Sequence, residues 1–456
     1  MDDTAALRAQ LRPGRGVELD FSRARRELAD LNPVRVSGRV TDVIGLVVEA
    51  SGPGAPLGSL CHILGPGAPG ARAGGAIPAE VVGFRSGRVL LMPLGDLAGV
   101  APGSRVVLTR EWPIVRVGDG MLGRVLDGLG RPLDGRGPVE LETEYPLYGE
   151  RLNPLDRQPI REPLDLGIRA INALLTCGRG QRLGILAGSG VGKSTLLGMM
   201  ARYTRAEVNV IALVGERGRE VREFVERDLG DGLGHSVVVA ATSDQPPLVR
   251  IRGAFLATTI AEYFRDQGRD VLLMMDSLTR VAMAQREIGL SVGEPPSARG
   301  YTPSVFGLLP RLLERAGRGP EGSITGLYTV LVEGDDMNEP IADAARSLLD
   351  GQVSLSRRLA SDGHYPAIDV LGSISRVMLN IVSAPHREGA GRVRSWLGTH
   401  RDAEDLINIG AYARGASAAI DEAVARLPAI MQFLRQPLDQ PATLDDSVTA
   451  LATLAG

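Results

Sequence analysis

Aromatic residues and surplus charge are both scarce in this sequence. Phe, Trp and Tyr make up 4% of the 456 residues, and the first 100 residues contain only Phe21 and Phe84. Proteins that bind single-stranded nucleic acid need aromatic rings for the bases to stack on. With 51 Lys and Arg against 54 Asp and Glu, the net charge is −3, so the basic surplus of a dedicated nucleic-acid binder is missing as well. We expect no nucleic-acid partner.

Cysteine and long apolar runs are also scarce. Cys61 and Cys177 are the only cysteines, which excludes a disulfide framework and a cysteine-based metal site. No apolar run approaches the ~20 residues of a membrane span. The chain begins Met1-Asp2-Asp3 without the apolar core of a signal peptide. These features predict a cytoplasmic protein whose association with the inner face of the cell membrane, if any, is peripheral.

The periodicity of apolar residues changes along the chain and predicts an α/β protein with several domains. Short alternating runs between Gly and Pro turns predict a small β-barrel. Strands then alternate with helices, which predicts a mainly parallel sheet, and the last strand is expected at Ser323–Val332. A helical pattern follows Pro385. The predicted domains are an N-terminal helical segment (1–31), a β-barrel (32–110), a nucleotide-binding domain (111–384) and a C-terminal helical domain (385–456).

The stretch Leu183–Thr195 reads as a strand, a glycine-rich loop and the start of a helix. Backbone N–H groups of such a loop and the N-terminus of the helix bind phosphate oxygens. Lys193 is expected to reach the β- and γ-phosphates, and the Ser194 hydroxyl to hold Mg²⁺. Ala187 stands where the strict pattern has Gly, so a chance glycine-rich turn is the alternative. The predicted nucleotide-binding residues of this loop are Gly188, Ser189, Gly190, Val191, Gly192, Lys193, Ser194 and Thr195.

Two acidic residues, Glu216 and Asp276, directly follow predicted strands of the same sheet. Ligands bind at the carboxyl ends of such strands, so both should lie beside Lys193. Asp276 is predicted to hold Mg²⁺ through water, and Glu216 to orient or deprotonate the attacking water. Either could instead be a solvated loop residue. Arg217 and Arg280 are candidates for phosphate binding, with a structural ion pair as the equal alternative.

Taken together, these motifs resemble the catalytic subunits of rotary-type ATPases, and most closely the type III export ATPases of the flagellum. The resemblance runs from about Val34 to the C-terminus. It rests on Ala187–Ser194, Gly215–Phe224, Met275–Arg280, Ala282–Ile288, Gly293–Pro296, Gly300–Phe306, Glu333–Pro340 and Gly363–Asp369. It implies a RecA-like P-loop domain, ATP and Mg²⁺ as cofactors, and Glu216 as the catalytic carboxylate. The family tolerates Ala187.

The resemblance also implies how the active site is completed. Arg376, in the Ser373–Arg376 segment expected after the last strand, matches the arginine that enters the site of a neighbouring subunit. Because one chain carries both Glu216 and Arg376, we expect a homohexamer with active sites between subunits. Tyr365 matches an aromatic that packs on adenine, although a core tyrosine is nearly as plausible. The Gly293–Arg299 loop matches one that faces the central channel, and a plain connecting loop is the alternative.

The expected function is Mg²⁺-dependent ATP hydrolysis coupled to chaperone release, unfolding and export of flagellar subunits. The expected partners are a negative regulator at the N-terminal segment, a stalk-like subunit, export-gate membrane proteins and chaperone–substrate complexes. Gly410–Gly415 departs from the acidic stalk-contact motif of the ATP synthase β-subunit. Alternatives are the ATPase of a virulence-type secretion injector, a non-catalytic nucleotide-binding subunit, and a hexameric RNA helicase.

Overall fold

A computed structural model describes residues 36–65, 75–149, 152–332, 336 and 339–456. The predicted N-terminal helical segment (1–31) and most of the Glu333–Pro340 motif lie outside these residues. No helix in these ranges is long and apolar enough to cross a membrane.

Six strands of the described residues close into a small barrel, as the period-two pattern predicts. Alternate side chains point into the barrel, where Val48, Cys61, Ile63 and Leu91 are fully buried. The barrel order is β1-β2-β5-β4-β3-β6. The strands are β1 (Ser37–Ile44), β2 (Val47–Ser51), β3 (Leu60–Leu64), β4 (Ala76–Arg85), β5 (Arg88–Pro93) and β6 (Arg105–Arg110).

A mostly parallel sheet forms the centre of the molecule, in the order β17-β16-β10-β15-β13-β11-β12-β8. Its central strands are almost entirely apolar because helices cover both faces. The strands are β8 (Val125–Asp127), β10 (Arg182–Ala187), β11 (Val208–Val214), β12 (Ser236–Ala241), β13 (Asp270–Asp276), β15 (Ser323–Leu331), β16 (Gly351–Leu355) and β17 (Ile368–Ser375). The two-residue β14 (Gly317–Arg318) pairs with β15, and β7 (Ile114–Val117) pairs with β9 (Thr143–Pro146) in a separate ribbon.

The expectation that the sheet ends near Val332 is wrong, because β16 and β17 follow β15 and extend one edge. Ser373–Ser375 therefore belong to β17, and Arg376 is the first residue beyond it. Because β16 contains polar residues and β17 contains a glycine, neither strand shows the apolar pattern by which a strand is recognised in a sequence. At the opposite edge, β8 comes from a stretch that reads as turns in the sequence.

Helices pack on both faces of the sheet. The helix that follows β11 begins at Gly218 and changes to a π-helix at Phe224–Leu229. The described helices of this region are α1 (Arg169–Leu174), α2 (Lys193–Tyr203), α3 (Gly218–Glu223), α4 (Pro247–Asp266), α5 (Leu278–Ser291), α6 (Pro303–Leu313), α7 (Pro340–Leu348), α8 (Arg357–Ser361) and α9 (Met378–Ile381).

Three longer helices form the C-terminal region, namely α10 (Ala384–Asn408), α11 (Ala418–Leu434) and α12 (Leu444–Ala455). The segment between α11 and α12 attaches to the helix that follows the phosphate loop. Arg202 and Tyr203 at the end of α2 both donate hydrogen bonds to the Leu438 carbonyl oxygen, at 3.1 and 2.9 Å. The C-terminal region therefore packs against the helix that follows the phosphate loop.

The barrel is joined to the sheet domain by a buried ion pair. Glu80 of β4 accepts a hydrogen bond from Arg252 of α4 at 2.6 Å and another from the Tyr148 hydroxyl at 3.0 Å. Burial raises the pKa of Glu80, whereas Arg252 opposes that shift. Removing either partner of such a pair would leave a buried charge unpaired, which is strongly destabilising.

Candidate active site

The phosphate loop lies where the sequence predicts it, between β10 and α2. Gly190 and Gly192 have φ angles of +79° and +90°, a left-handed conformation that glycine adopts without steric cost. The loop bounds an open cleft of about 470 Å³. The cleft is lined by Ala187, Gly188, Ser189, Gly190, Gly192, Lys193, Ser194, Thr195, Glu216, Arg217, Glu220, Arg280, Leu331 and Val332.

Val191 is the exception among the predicted loop residues. Its side chain is 2% exposed and belongs to the apolar core beneath the loop. It does not line the cleft, so it fixes the loop to the core.

Three charged residues meet at the carboxyl edge of the sheet because β10, β11 and β13 run parallel. The Lys193 ammonium forms an ion pair with Asp276, and its Nζ lies 3.8 Å from Oε1 of Glu216. Lys193 thus stands between the two carboxylates. A bound phosphate chain would offer the ammonium group a competing set of anionic oxygens.

Asp276 is held beneath the cleft. It is 3% exposed, and the Thr329 hydroxyl of β15 donates a hydrogen bond to its Oδ1 at 2.7 Å. Mg²⁺ prefers oxygen ligands and keeps several of its waters. The Asp276 carboxylate and the Ser194 hydroxyl, which is exposed at the start of α2, are donors of this kind. The residues present therefore fit a hydrated magnesium ion.

Glu216 follows β11 and is the most perturbed carboxyl group of the cleft. Burial raises its pKa to about 7, and the nearby Asp276 charge adds to the effect, whereas Lys193 opposes it. A hydrogen bond between Glu216 and Glu220 raises the pKa of Glu216 further and lowers that of Glu220. A carboxylate that titrates near neutral pH is suited to accept a proton from water.

The two arginines predicted in the cleft have different surroundings. The Arg217 side chain is 81% exposed and lies 3.6 Å from Glu220. Arg280 packs against Gly215, where a Cβ atom would come within 2.8 Å of the Arg280 Cβ. Its Nε is buried without a hydrogen-bond partner among the described residues, so its guanidinium group keeps donor capacity for a ligand. Arg280 is therefore the better placed of the two to bind phosphate.

Tyr365 lies beside the cleft in a second cavity of about 400 Å³. Its ring packs over the phosphate loop, because a Cβ on Gly192 would lie 3.4 Å from the ring. Gly190, Gly192 and Thr195 line both cavities, so the two lie next to each other. The rest of the lining is largely apolar, and consists of Leu196, Met199, Pro366, Gln436, Pro437 and Leu438.

Arg376 lies outside the cleft of its own chain. It is exposed just beyond β17 and donates a hydrogen bond to the Arg346 carbonyl oxygen at 3.1 Å. One chain by itself therefore brings together Lys193, Glu216, Asp276 and Arg280, but not Arg376.

Several residues at the site were missed by sequence reasoning. Thr329 lies inside a strand, and nothing in the sequence links it to Asp276. Glu220 is part of the Gly215–Phe224 motif, and its i+4 spacing from Glu216 could have indicated contact through one helical turn. Gln436, Pro437 and Leu438 come from a distant segment without any motif.

A glycine-rich loop that leads into Lys193 and Ser194, with Glu216 and Asp276 beside it at the carboxyl edge of a parallel sheet, is the arrangement found in P-loop nucleoside triphosphatases. Two family models agree with this class: the ATP synthase alpha/beta family nucleotide-binding domain matches residues 167–375 and the beta-barrel domain of that family matches 40–110. A third, the T3SS EscN ATPase C-terminal domain, matches residues 382–453.

Comparison with individual relatives shows to which part of this family the chain belongs. The chain is 56% identical over 426 residues to a flagellum-specific ATP synthase of Bacillus subtilis, covering 92% of this chain and 95% of the relative. It is 49% identical to a type 3 secretion system ATPase of Xanthomonas euvesicatoria, covering 94% and 96%. The assembled ATPase EscN in complex with its central stalk EscO, from enteropathogenic E. coli, superposes with a TM-score of 0.84 at 43% identity, over 92% of this chain and 100% of that one. The chain belongs to the family of flagellar and type III secretion ATPases, and it is an ATP-binding ATP hydrolase.

Proposed function

We propose that this chain is the Mg²⁺-dependent ATPase of a flagellar type III export apparatus. It couples ATP hydrolysis to chaperone release and to the unfolding and export of flagellar subunits. The observation that carries the proposal is the meeting of Lys193, Glu216 and Asp276 at the carboxyl edge of the sheet. A non-catalytic nucleotide-binding subunit would not need a half-buried carboxylate with a pKa near 7 at this position.

Each residue has a distinct part in the reaction. Lys193 and the loop N–H groups bind the phosphate chain, and Arg280 supplies additional donors to it. Glu216 orients the attacking water and takes its proton. Asp276 and Ser194 would hold Mg²⁺, which when bound neutralises charge on the phosphate oxygens. Thr329 fixes the orientation of the Asp276 carboxylate through its hydrogen bond.

The site is completed between identical subunits. Arg376 is exposed and does not line the cleft of its own chain, as expected for an arginine that acts on a neighbour. Because each chain offers both Glu216 and Arg376, a closed homohexameric ring contains a complete site at each interface.

The flagellar assignment is favoured over a virulence-type secretion injector by the relatives. The identity to the flagellum-specific ATP synthase of Bacillus subtilis is 56%, against 49% for the type 3 secretion ATPase of Xanthomonas euvesicatoria. Complementation distinguishes the two: restored motility in a flagellar ATPase deletion strain supports the flagellar role. Restored effector secretion in an injector ATPase deletion strain, without motility, would contradict it.

The proposed partners follow from the same family. The solved complex of EscN with its central stalk supports a stalk-like subunit here. We further propose a negative regulator at residues 1–31, chaperone–substrate complexes and export-gate membrane proteins, which would bring a cytoplasmic ring to the inner face of the membrane. Deleting residues 1–31 should abolish binding of the regulator without abolishing ATP binding.

The test of the proposed function is the ATPase rate per chain, measured against protein concentration with Mg²⁺ and ATP. We expect the rate per chain to rise with concentration as sites are completed between subunits, and chelation of Mg²⁺ to abolish it. A folded protein that does not hydrolyse ATP at any concentration would refute the proposal.

A further inference from the structure

Another cavity, of about 410 Å³, lies where the C-terminal helices α10 and α11 meet the sheet domain. We call it the junction cavity; its walls come from α8, the segment around His364, strand β17 and the two C-terminal helices. Its volume lies in the range of small-molecule binding sites. Among the described residues, none lines both the junction cavity and either the phosphate-loop cleft or the Tyr365 cavity. The nucleotide site therefore does not account for it.

His364 is a buried polar residue of the junction cavity that lacks partners. It is 1% exposed, and neither Nδ1 nor Nε2 of its ring has a hydrogen-bond partner in the described part of the chain. Its backbone N–H donates to the Leu359 carbonyl oxygen at 2.8 Å, which fixes its position beside α8. Burial lowers the pKa of His364, so the neutral ring offers one N–H donor and one acceptor. Because buried polar groups are normally paired, the ring needs a partner within the cavity.

Both carboxylates that line the described cavity are already engaged. Glu404 of α10 accepts two hydrogen bonds from the Arg358 guanidinium group of α8, at 2.9 and 3.1 Å. Oδ1 of Asp369 accepts from the backbone N–H groups of Leu371 and Gly372, each at 3.0 Å. A cationic ligand would have to compete with these bonds for its acceptors.

Donor groups, by contrast, are left over. Arg401 of α10 lines the cavity, and its Nε lies 3.7 Å from Oδ1 of the neighbouring Asp402. The two side chains are 61% and 78% exposed, and such a long surface ion pair contributes little. Arg401 and the His364 ring can therefore donate to a ligand. The other lining side chains include the apolar residues Leu359, Ile368, Val370, Leu397, Leu427 and Met431.

We propose that the junction cavity binds a small apolar monocarboxylate, with its carboxylate on the free donors of His364 and Arg401 and its hydrocarbon body against the apolar wall. An ionised carboxylate only accepts hydrogen bonds, so it complements donors that lack acceptors. Hydrogen bonds from a guanidinium group to a carboxylate are charge-assisted and strong. Burial of the hydrocarbon body supplies the remaining driving force.

The experiment is an NMR titration of the full chain, labelled with ¹⁵N in its five histidines, with 4-phenylbutanoate as the probe. Saturating MgADP keeps the nucleotide site filled. We expect the ring ¹⁵N signals of His364 to shift and saturate with a Kd of about 2 mM or below, as for a ligand of this size. The signals of His62, in barrel strand β3, should not move. The absence of a saturable His364 shift at concentrations well above this value would overturn the proposal.

A second titration without MgADP controls for binding at the nucleotide site, where an anion could also bind. The His364 shift and the Kd should agree with those measured in MgADP, within about twofold. If the shift appears only when MgADP is absent, the carboxylate binds at the nucleotide site and the proposal is wrong.

Two probes with the same hydrocarbon body test the charge. 4-Phenylbutan-1-ol is neutral, and 4-phenylbutylammonium is cationic. We expect each to bind at least about tenfold more weakly than 4-phenylbutanoate, because neither makes charge-assisted hydrogen bonds with the donors. Equal binding of all three would mean that the cavity does not select an anion, which contradicts the proposal.

Arg401→Gln tests the donor at an exposed position, where the substitution should leave the fold intact. It should weaken binding of 4-phenylbutanoate about fivefold or more, since a charge-assisted hydrogen bond is lost, and leave binding of 4-phenylbutan-1-ol unchanged. Arg387→Gln, at an exposed arginine of the same helix that does not line the cavity, is the control. Equal affinities in the two variants would refute the role of Arg401. None of these measurements uses ATP hydrolysis, so their outcome is independent of the proposed function.

Discussion

The phosphate half and the base half of the nucleotide site are built in opposite ways. The phosphate half consists of charged side chains at the ends of adjacent parallel strands, and its key ion pairs join Lys193 to Asp276 and Glu216. The base half is a largely apolar cavity whose walls come from segments up to 248 residues apart along the chain (Gly190 to Leu438). The first half is suited to chemistry and the second to binding, so substitutions in the two should affect different kinetic constants.

Arg376→Ala tests whether the phosphate half needs a residue from another copy. We expect kcat to fall by at least 10³-fold, since an arginine that stabilises charge in the transition state is worth about 10³–10⁵ in GTPases. ATP binding to the isolated chain should be unchanged, because Arg376 does not line its own cleft. Arg414→Ala, at an exposed arginine of the C-terminal region, is the control.

A mixture of two inactive variants tests more directly whether Arg376 acts between subunits. In rings formed from Arg376→Ala and Glu216→Gln chains, some interfaces combine an intact Glu216 with an intact Arg376. We expect the mixture to regain activity that neither variant has alone. If mixed rings form and remain inactive, Arg376 does not act between subunits.

Glu216→Gln tests the chemical role of the phosphate half. It should lower kcat by about 10²–10⁴-fold while ATP binding is retained, because the amide cannot take a proton from water. Glu223→Gln, two turns along on the same segment and 44% exposed, is the matched control and should leave kcat unchanged. Equal losses of kcat in both variants would mean that the loss comes from a change to the segment as a whole and not from removal of the Glu216 carboxylate.

The pH dependence of kcat/KM follows from the raised pKa of Glu216. The carboxylate is the active form, and in the free enzyme it loses its proton near pH 7. We therefore expect kcat/KM to fall about tenfold from pH 8 to pH 6. Glu220→Ala removes a hydrogen bond that raises this pKa, so the fall should move to lower pH. A profile unchanged in that variant would contradict the Glu216–Glu220 contact.

Tyr365→Ala tests the base half and has the smallest expected effect. We expect KM for ATP to rise about tenfold and kcat to change less than twofold, because the ring contacts the base and not the reacting atoms. Tyr365→Phe retains the ring and should retain most of the binding. A fall in kcat with an unchanged KM would place Tyr365 in the phosphate half.

Much of the fold and of the phosphate half could be predicted from the sequence. The strand–loop–helix pattern around Lys193 is local, and the alternation of strands and helices requires a parallel sheet, so the ends of β11 and β13 had to meet the loop. The strands β16 and β17 could not be recognised, since their mixed polar and glycine-containing sequences lack a clear apolar pattern. Val191 matches the motif by position, yet its side chain faces the core.

The class of chemistry was already set by the order of residues along the chain, because glycines, Lys193, Glu216 and Asp276 at those spacings form a phosphate site once the strands lie parallel. Folding in three dimensions was needed to bring Thr329 to Asp276, to bury Glu216 and so raise its pKa, and to enclose the base pocket with Gln436 and Leu438. The physical reason is that backbone geometry follows local sequence, whereas burial and hydrogen-bond partners depend on segments that meet only when the chain folds.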